Sequence, residues 1–304
     1  MFCFNFSKIL YKLTKLTLLI WLIYIILSAN KIPDFNDNIN NKNNLLKNFN
    51  GLSQIQSLSL IIAHPDDEIM FFSPALLNLN DLLPKNITFN IVCYSDGNAQ
   101  GLGSTRFNEL YKSIYLLLSD RINKNITVLD YTDGMSEIWD VDKMLFDFEK
   151  INMNQPNYLI IDHGKNLILT FDKFGVSNHV NHISCHQMAL RYYQKFPNQT
   201  VLLTLHSYHS NILLKYSSFG WQSLKLLFYL FCPSAYRNFL TANNNKDQNQ
   251  DRTSELTFFS TYPQYVLSLA TMLNAHKSQM VWFRYLWWVF SRFVFVNDIE
   301  VIQS

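Results

Sequence analysis

Paired cysteines are missing from this chain. Its 304 residues hold four cysteines, Cys3, Cys93, Cys185 and Cys232, too widely scattered for a disulfide framework or a zinc knuckle. They read as free thiols, which suits a reducing compartment. Charge is scarce as well. Charged residues make up 16% and the net charge is +2, too little to hold nucleic acid electrostatically, so no nucleic-acid partner is expected. There is no internal repeat. What the chain has in quantity is apolar: 48% hydrophobic residues, enough to core one domain with additions or at most two, and 15% aromatics concentrated in the last third.

The first long apolar stretch comes at the start. Leu16 to Ala29 carries no charge, and Lys12 and Lys15 can snorkel, so Ile9 to Ala29 is long enough to span a thin bilayer as a helix. A cleaved signal peptide ending at Leu27-Ser28-Ala29 is the competing reading. The anchor is preferred, because leucine three residues before such a cut is a poor recognition residue. Lys8, Lys12 and Lys15 precede the span and only Lys31 follows closely, so the charge rule puts the N-terminus in the cytosol.

Composition divides the chain into an anchor over 1–30, an Asn-rich tether over 31–56 and a domain over 57–304. The tether, dominated by asparagine from Asp34 to Asn50, cannot bury enough surface to offset its ordering entropy. A second Asn-rich run, Ala242 to Asp251, marks a loop. Strand patterns fall at Ser57–Ile62, Ile87–Tyr94, Ile126–Asp130, Tyr158–Ile161 and Val201–Leu205. Helical patterns fall at Asp67–Leu79, Ser104–Leu118, Val141–Ile151 and Val180–Phe196. This alternation predicts an α/β fold, a Rossmann-like, mainly parallel sheet with helices on both faces, preceded by the transmembrane helix.

The densest chemistry is Ala63-His64-Pro65-Asp66-Asp67-Glu68, directly after the first strand, where open α/β sheets place ligands. His64 and Asp67 can converge on a divalent cation, which leaves Asp66 to take a proton. Helix capping would account for one or two of the acids but not for the His-Pro start. After the second strand comes Ser95-Asp96-Gly97-Asn98-Ala99-Gln100-Gly101-Leu102-Gly103. Its glycines let backbone amides approach a ligand, and Arg106, one turn into the next helix, can face the same edge. Asp133, after the third strand, belongs to that edge too. Further on, Gly175-Val176-Ser177-Asn178-His179-Val180-Asn181-His182 puts two histidines three apart on a first helical turn, one to ligate the cation and one to face a substrate carbonyl. His186 reads as structural, and His163, His206, His209 and His276 have no spacing that forces them into the site.

In this order these motifs resemble the metal-dependent N-acetylglucosaminyl-phosphatidylinositol de-N-acetylases, a family that includes the bacterial LmbE-like deacetylases. The likeness covers about residues 57 to 210, and His276-Lys277-Ser278-Gln279 with Trp282-Phe283-Arg284 also looks like the eukaryotic members. The resemblance implies His64, Asp67 and His182 as metal ligands, Asp66 as general base and His179 as the residue that stabilises or protonates the tetrahedral intermediate. It aligns Arg106 and Asp133 with sugar-contacting positions. Bacterial members often carry Asp where this chain has Asn181.

Two histidines and one carboxylate suit a catalytic zinc ion with positions left open. The implied reaction removes acetate from N-acetylglucosaminyl-phosphatidylinositol, the second step of glycosylphosphatidylinositol anchor synthesis, with the glycolipid and the membrane as partners. The implied setting is the endoplasmic reticulum membrane, with a single pass and the catalytic domain on the cytosolic face. That orientation opposes the lysine count, and it would leave the sequons at Asn86, Asn125 and Asn198 unmodified. The alternatives are a zinc amidase acting on another N-acylated sugar conjugate and a silent protein that binds inositol lipid or sugar. Gln279 to Val296, rich in Trp and Phe, is expected to lie in the membrane interface, or else to be a buried C-terminal helix.

Overall fold

The computed structural model describes residues 6–28, 31–33, 35–36, 55–153, 164–216, 220–235 and 254–303. After the N-terminal helix α1 (Phe6–Ser28), strand and helix alternate. β1 (Ile55–Ile62) leads to the single turn α2 (Asp67–Met70) and to α3 (Ser73–Leu82). β2 (Thr88–Cys93) leads to α4 (Gly103–Leu117), β3 (Lys124–Val128) to α5 (Val141–Met153), and β4 (Lys165–Phe171) to α6 (Val180–Lys195). Then follow β5 (Thr200–Leu205), α7 (Ile212–Tyr216), α8 (Gly220–Phe231), β6 (Ser254–Phe259), α9 (Tyr262–Ala275), α10 (Trp282–Phe290) and β7 (Val296–Ile302).

The seven strands run in the order β3-β2-β1-β4-β5-β7-β6. The first five are parallel, with Leu60 registered against Ile91 on one side and Leu169 on the other. β7 is antiparallel to both β5 and β6. The central strands read as near-continuous apolar runs because helices cover both faces. Leu58, Leu60, Ile61 and Ile62 of β1 are all buried, as are Phe89, Ile91 and Val92 of β2. α3, α4 and α9 pack together, and α5 packs on α6, which lies against β1, β4 and β5. The chain runs outward from β1 to β3 and then returns to β4, so β1 and β4 flank the topological switch point.

Several expectations shift. The fourth strand lies at Lys165–Phe171. The run Tyr158–Ile161 read as a strand falls in 154–163, outside the described residues, and β4 is built on the apolar run Leu167-Ile168-Leu169. The helix expected over Asp67–Leu79 breaks at Phe71 and Phe72 into α2 and α3, the second starting at Ser73-Pro74. Proline there costs nothing, since the first helical N–H has no partner in any case. Composition alone assigns 31–56 to a tether, yet Ile32, Phe35 and Asn36 are buried and Ile55 and Gln56 already belong to β1. Asn36 pairs with the main chain of Phe259 in both directions, at 2.8 and 2.9 Å, and so caps the end of β6. The stretch 37–54 and the whole run Ala242 to Asp251 lie outside the described residues. The segment Gln279 to Val296 is neither wholly interfacial nor one buried helix. Val281 to Phe290 offers several exposed side chains, whereas Phe293 to Val296 are buried and turn the chain into β7.

Candidate metal centre

β1 ends at the switch point, and the residues that follow it are buried polar groups: His64, Asp66, Asp67 and Glu68. Asp67 Oδ2 accepts the main-chain N–H groups of Ala63 (3.0 Å) and His64 (2.8 Å), which turns Oδ1 toward the cleft. There Oδ1 lies 3.4 Å from His182 Nε2, and His182 Nε2 lies 3.4 Å from His64 Nδ1. Tetrahedral ligands about 2.1 Å from a zinc-sized ion stand about 3.4 Å apart, so the spacing of these donors fits such an ion. The three residues form a buried cluster whose ligand atoms all fall within 4.8 Å of one another.

Each imidazole is oriented from behind. His182 Nδ1 faces the carbonyl of Gly175 at 3.1 Å, and its ring stacks on Phe171 with centroids 4.0 Å apart. His64 Nε2 faces Asp133 Oδ1 at 3.0 Å and Asn181 Oδ1 at 3.1 Å. In both rings the proton sits on the nitrogen away from the cluster, and the other nitrogen is free to ligate. Asn181 also donates to the carbonyl of Glu137 (2.6 Å) and accepts from Gly134 N–H (3.2 Å). It thereby ties the loop after β3 to His64, and Asp133 supplies the negative charge that a carboxylate at 181 would bring. Burial would raise the Asp67 carboxyl, but His182 and His64 hold it well below the usual range.

The turn that delivers His179 and His182 is held against its own preferences. Asp172 accepts Phe174 and Gly175 N–H at 3.0 and 3.1 Å and Ser207 N–H at 2.7 Å, joining the ends of β4 and β5. Val176 sits at φ +62°, a β-branched residue in the left-handed region, with its N–H on Ser207 Oγ and its carbonyl on Lys215 Nζ. A side chain on Gly175 would meet His182 Cβ at 2.8 Å, at a backbone angle of φ +55° that glycine alone adopts without strain. His179 then caps α6, with Nδ1 accepting Asn181 N–H at 3.3 Å, so its Nε2 carries the proton. Burial first, then His182 and His64, lower its pKa to about 4, which leaves a neutral donor at neutral pH.

Asp66 stands beside the cluster in an unusual conformation, φ +131°. A backbone of this kind costs about 1–3 kcal/mol and persists only where its surroundings impose it. Here Asp66 N–H donates to Glu68 Oε2 at 3.1 Å, and its carbonyl accepts from Met70 N–H at 2.9 Å. Glu68 is itself fully buried, holding Ser113 Oγ at 2.5 Å and His276 Nε2 at 2.6 Å. The Asp66 carboxylate is pinched between Arg284 (3.1 Å) and Arg106 (3.5 Å). Burial nonetheless prevails over both guanidinium groups and raises its pKa.

Thus His64, Asp66, Asp67, Arg106, Asp133, His179 and His182, all singled out in the sequence, line one cleft of about 320 Å³. Arg106 anchors on the carbonyls of Pro65 (2.8 Å) and Gly97 (3.0 Å) and approaches Asp133 at 3.6 Å. The glycine loop has a different use from the one expected: a side chain at Gly97 would strike the Arg106 guanidinium, so the glycine clears a path for arginine. His186 bonds to the Phe171 carbonyl on the strand side, in keeping with a structural part. Sequence reasoning gave no such part to five residues here: Arg284, Lys215, Asn181 as a tie for His64, and the Glu68–His276 pair. Only the short His276-Lys277-Ser278-Gln279 and Trp282-Phe283-Arg284 similarity hinted at any of them.

A buried His-Asp-His cluster with an aspartate at its side, set at the switch point of a doubly wound sheet, defines a class of protein whose site could hold a metal ion next to a free carboxylate. Residues 59–193 match the family described as PIG-L: GlcNAc-PI de-N-acetylase. The chain is 42% identical to the N-acetylglucosaminyl-phosphatidylinositol de-N-acetylase of Saccharomyces cerevisiae, over 98% of this chain and 96% of that one. It is 30% identical to the probable enzyme of that name from Schizosaccharomyces pombe, over 81% and 87% respectively. Among solved structures, the N,N'-diacetylchitobiose deacetylase of Pyrococcus horikoshii matches with a TM-score of 0.43 at 15% identity, covering 89% of this chain and 92% of that one. The chain belongs to the GlcNAc-PI de-N-acetylase family.

Proposed function

We propose that this protein hydrolyses the N-acetyl group of N-acetylglucosaminyl-phosphatidylinositol, releasing acetate and glucosaminyl-phosphatidylinositol, as a metal-dependent amidohydrolase. The observation that carries the reading is the meeting of His64, Asp67 and His182, from segments more than a hundred residues apart, beside the buried carboxylate of Asp66. The two-nitrogen, one-oxygen donor set suits zinc, which when bound would polarise the amide carbonyl and acidify water. Asp66 takes the proton of the attacking water, and its raised pKa matches that task. His179, neutral and protonated on Nε2, donates to the developing oxyanion, an interaction worth about 3–4 kcal/mol. The proton held by Asp66 then passes to the departing amine. Arg106 and Asp133 line the part of the cleft that would receive the sugar, and Lys215 and Arg284 add positive charge suited to the phosphodiester.

α1 supports a membrane setting. Ser7–Ile26 is long and apolar enough to cross a bilayer by length and composition, although a signal sequence meets the same test. The reading places the protein in the endoplasmic reticulum membrane with its catalytic domain in the cytosol. The deciding assay is deacetylation of N-acetylglucosaminyl-phosphatidylinositol by membranes bearing this chain. Turnover that stops with chelator and returns with zinc is expected. Failure on this lipid with turnover of another N-acylated sugar would give the amidase reading precedence, and metal-free turnover would reject the ligand set.

A further inference from the structure

We propose that the outer face of α10, together with α7, is a bilayer-docking surface that seats the mouth of the cleft on the lipid headgroups. This deepens the glycolipid-hydrolase reading above and rests on it for the substrate, but not for the contact itself.

α10 has two faces of opposite use. Arg284, Trp287 and Trp288, spaced three and four apart, turn inward: Arg284 to Asp66, Trp287 to Phe71 and Trp288 into the core. Trp282, Phe283, Tyr285, Leu286, Val289 and Phe290 turn outward, with Trp282 76% exposed. No acid or lysine interrupts this outward face. An all-apolar exposed face of this kind marks an interaction site, and its wealth of Trp, Phe and Tyr belongs to the membrane interface.

Two further observations say what covers it. The patch continues across the cleft mouth. Tyr216 of α7 meets Trp287 at 6.0 Å, and α7 adds Ile212 and Leu213, the latter 83% exposed. It is also joined by contact to the membrane-seeking helix. Trp21 of α1 lies 5.4 Å from Tyr265, whose ring is 6.0 Å from Trp288 and whose hydroxyl donates to the Trp288 carbonyl at 3.0 Å. α1 is thus held within two side-chain contacts of α10, through the buried Trp288, so a bilayer around α1 lies close to the helix that carries the aromatic face. A helix is about 10–12 Å across, so lipid held on the outer face is one helix diameter from the Arg284–Asp66 contact. A head group of two rings and a phosphate can reach inward over that distance while its acyl chains stay in the bilayer.

The test uses the full chain reconstituted in phosphatidylcholine vesicles, with p-benzoyl-phenylalanine introduced at position 286, or at position 122 as control. Ile122 is 91% exposed, just before β3 and at the opposite end of the strands from the cleft. Illumination is expected to add lipid at 286 and none at 122. Equal lipid adducts at both positions, no adduct at 286, or an adduct to a second copy or to another segment of the chain would each overturn the proposal. A second arm compares the triple variant Trp282→Glu, Phe283→Glu, Leu286→Glu on two substrates. Turnover of the glycolipid in vesicles should fall at least about tenfold, while turnover of the water-soluble N-acetylglucosaminyl-inositol-phosphate head group stays within about twofold. Equal loss on both would overturn docking. Wild-type failure on both substrates, with lipid still crosslinked at 286, would sink the hydrolase reading and leave the docking surface standing.

Discussion

Asp66 joins a strained backbone, two guanidinium partners and a buried carboxylate at one position. Replacing it by asparagine keeps the shape and removes the base. Asp66→Asn should retain one metal per chain by elemental analysis and lose about 10²–10⁴ in kcat, the usual worth of a positioned base. Full turnover by that variant would remove Asp66 from the reaction. Lys215 sits on the same cleft, where it donates to the Val176 carbonyl and touches none of the candidate metal ligands among the described residues, so its effect belongs to binding. Lys215→Met is expected to raise KM for the intact lipid several-fold with kcat little changed, and an equal fall in kcat would place it in the chemistry instead. Most of the site was legible at this scale because His64, Asp66 and Asp67 are neighbours in sequence, and His179 and His182 are three apart. Arg284 was not, because an arginine in an aromatic-rich segment carries no local sign of the carboxylate it meets 218 residues away.

Two buried polar pairs belong to the scale of the elements, and the first joins elements that the sequence never places side by side. Glu68, from α2, meets His276 at the end of α9, and both are wholly buried. Burial lowers the histidine pKa, but Glu68 and, further off, Asp66 and Glu109 outweigh it and raise it. Losing one partner of such a pair costs about 3–5 kcal/mol, because the other is left buried and uncompensated. His276→Ala should therefore lower stability by about that amount in chemical denaturation. It should lower activity as well, since Glu68 holds the Asp66 main chain. A variant as stable as the parent would show that the pair contributes nothing.

The second pair is Asp298 of β7 with Arg292. Burial would raise the Asp298 carboxyl, but Arg292, Lys225, Tyr208 and Thr257 bring it down to about 2. A carboxyl depressed on folding adds stability above its unfolded value, near 4, and loses it as pH falls toward 2. The contribution is about 2 kcal/mol at neutral pH. Acid titration of thermal stability should show this loss between about pH 4 and 2, and Asp298→Asn should abolish that part of the slope. The antiparallel β6–β7 pair that carries Asp298 escaped the sequence reading. The run before β7 is as apolar as an interfacial segment, and only its packing on Phe71 and Trp287 shows which part is core.

For the whole molecule, the proposed membrane setting turns on which side of the bilayer the domain would occupy. The lysines in the first turns of α1 favour the lumen, and the family resemblance favours the cytosol. Asn86, Asn125 and Asn198 are all exposed, so each would accept a glycan in the lumen. Expressed in a glycosylating cell, the chain should show no mobility shift on glycosidase treatment, and a shift would reverse the orientation. α1 is also more than a leash. Tyr24 is buried against Phe259, Tyr262 and Phe295 and donates to the Ser260 carbonyl at 2.8 Å.

Local sequence decided the chemistry and the alternation of strand and helix. Ligand types, their spacing and apolar periodicity act over a few residues, and no folding is needed to read them. The fold alone decided that β4 carries the turn to His182, that Asp133 and Asn181 steady His64, and that Arg284 reaches Asp66 from the far end of the chain. Those contacts join residues far apart in sequence, and their energies depend on a dry, shared interior that exists only once the sheet has closed around its switch point.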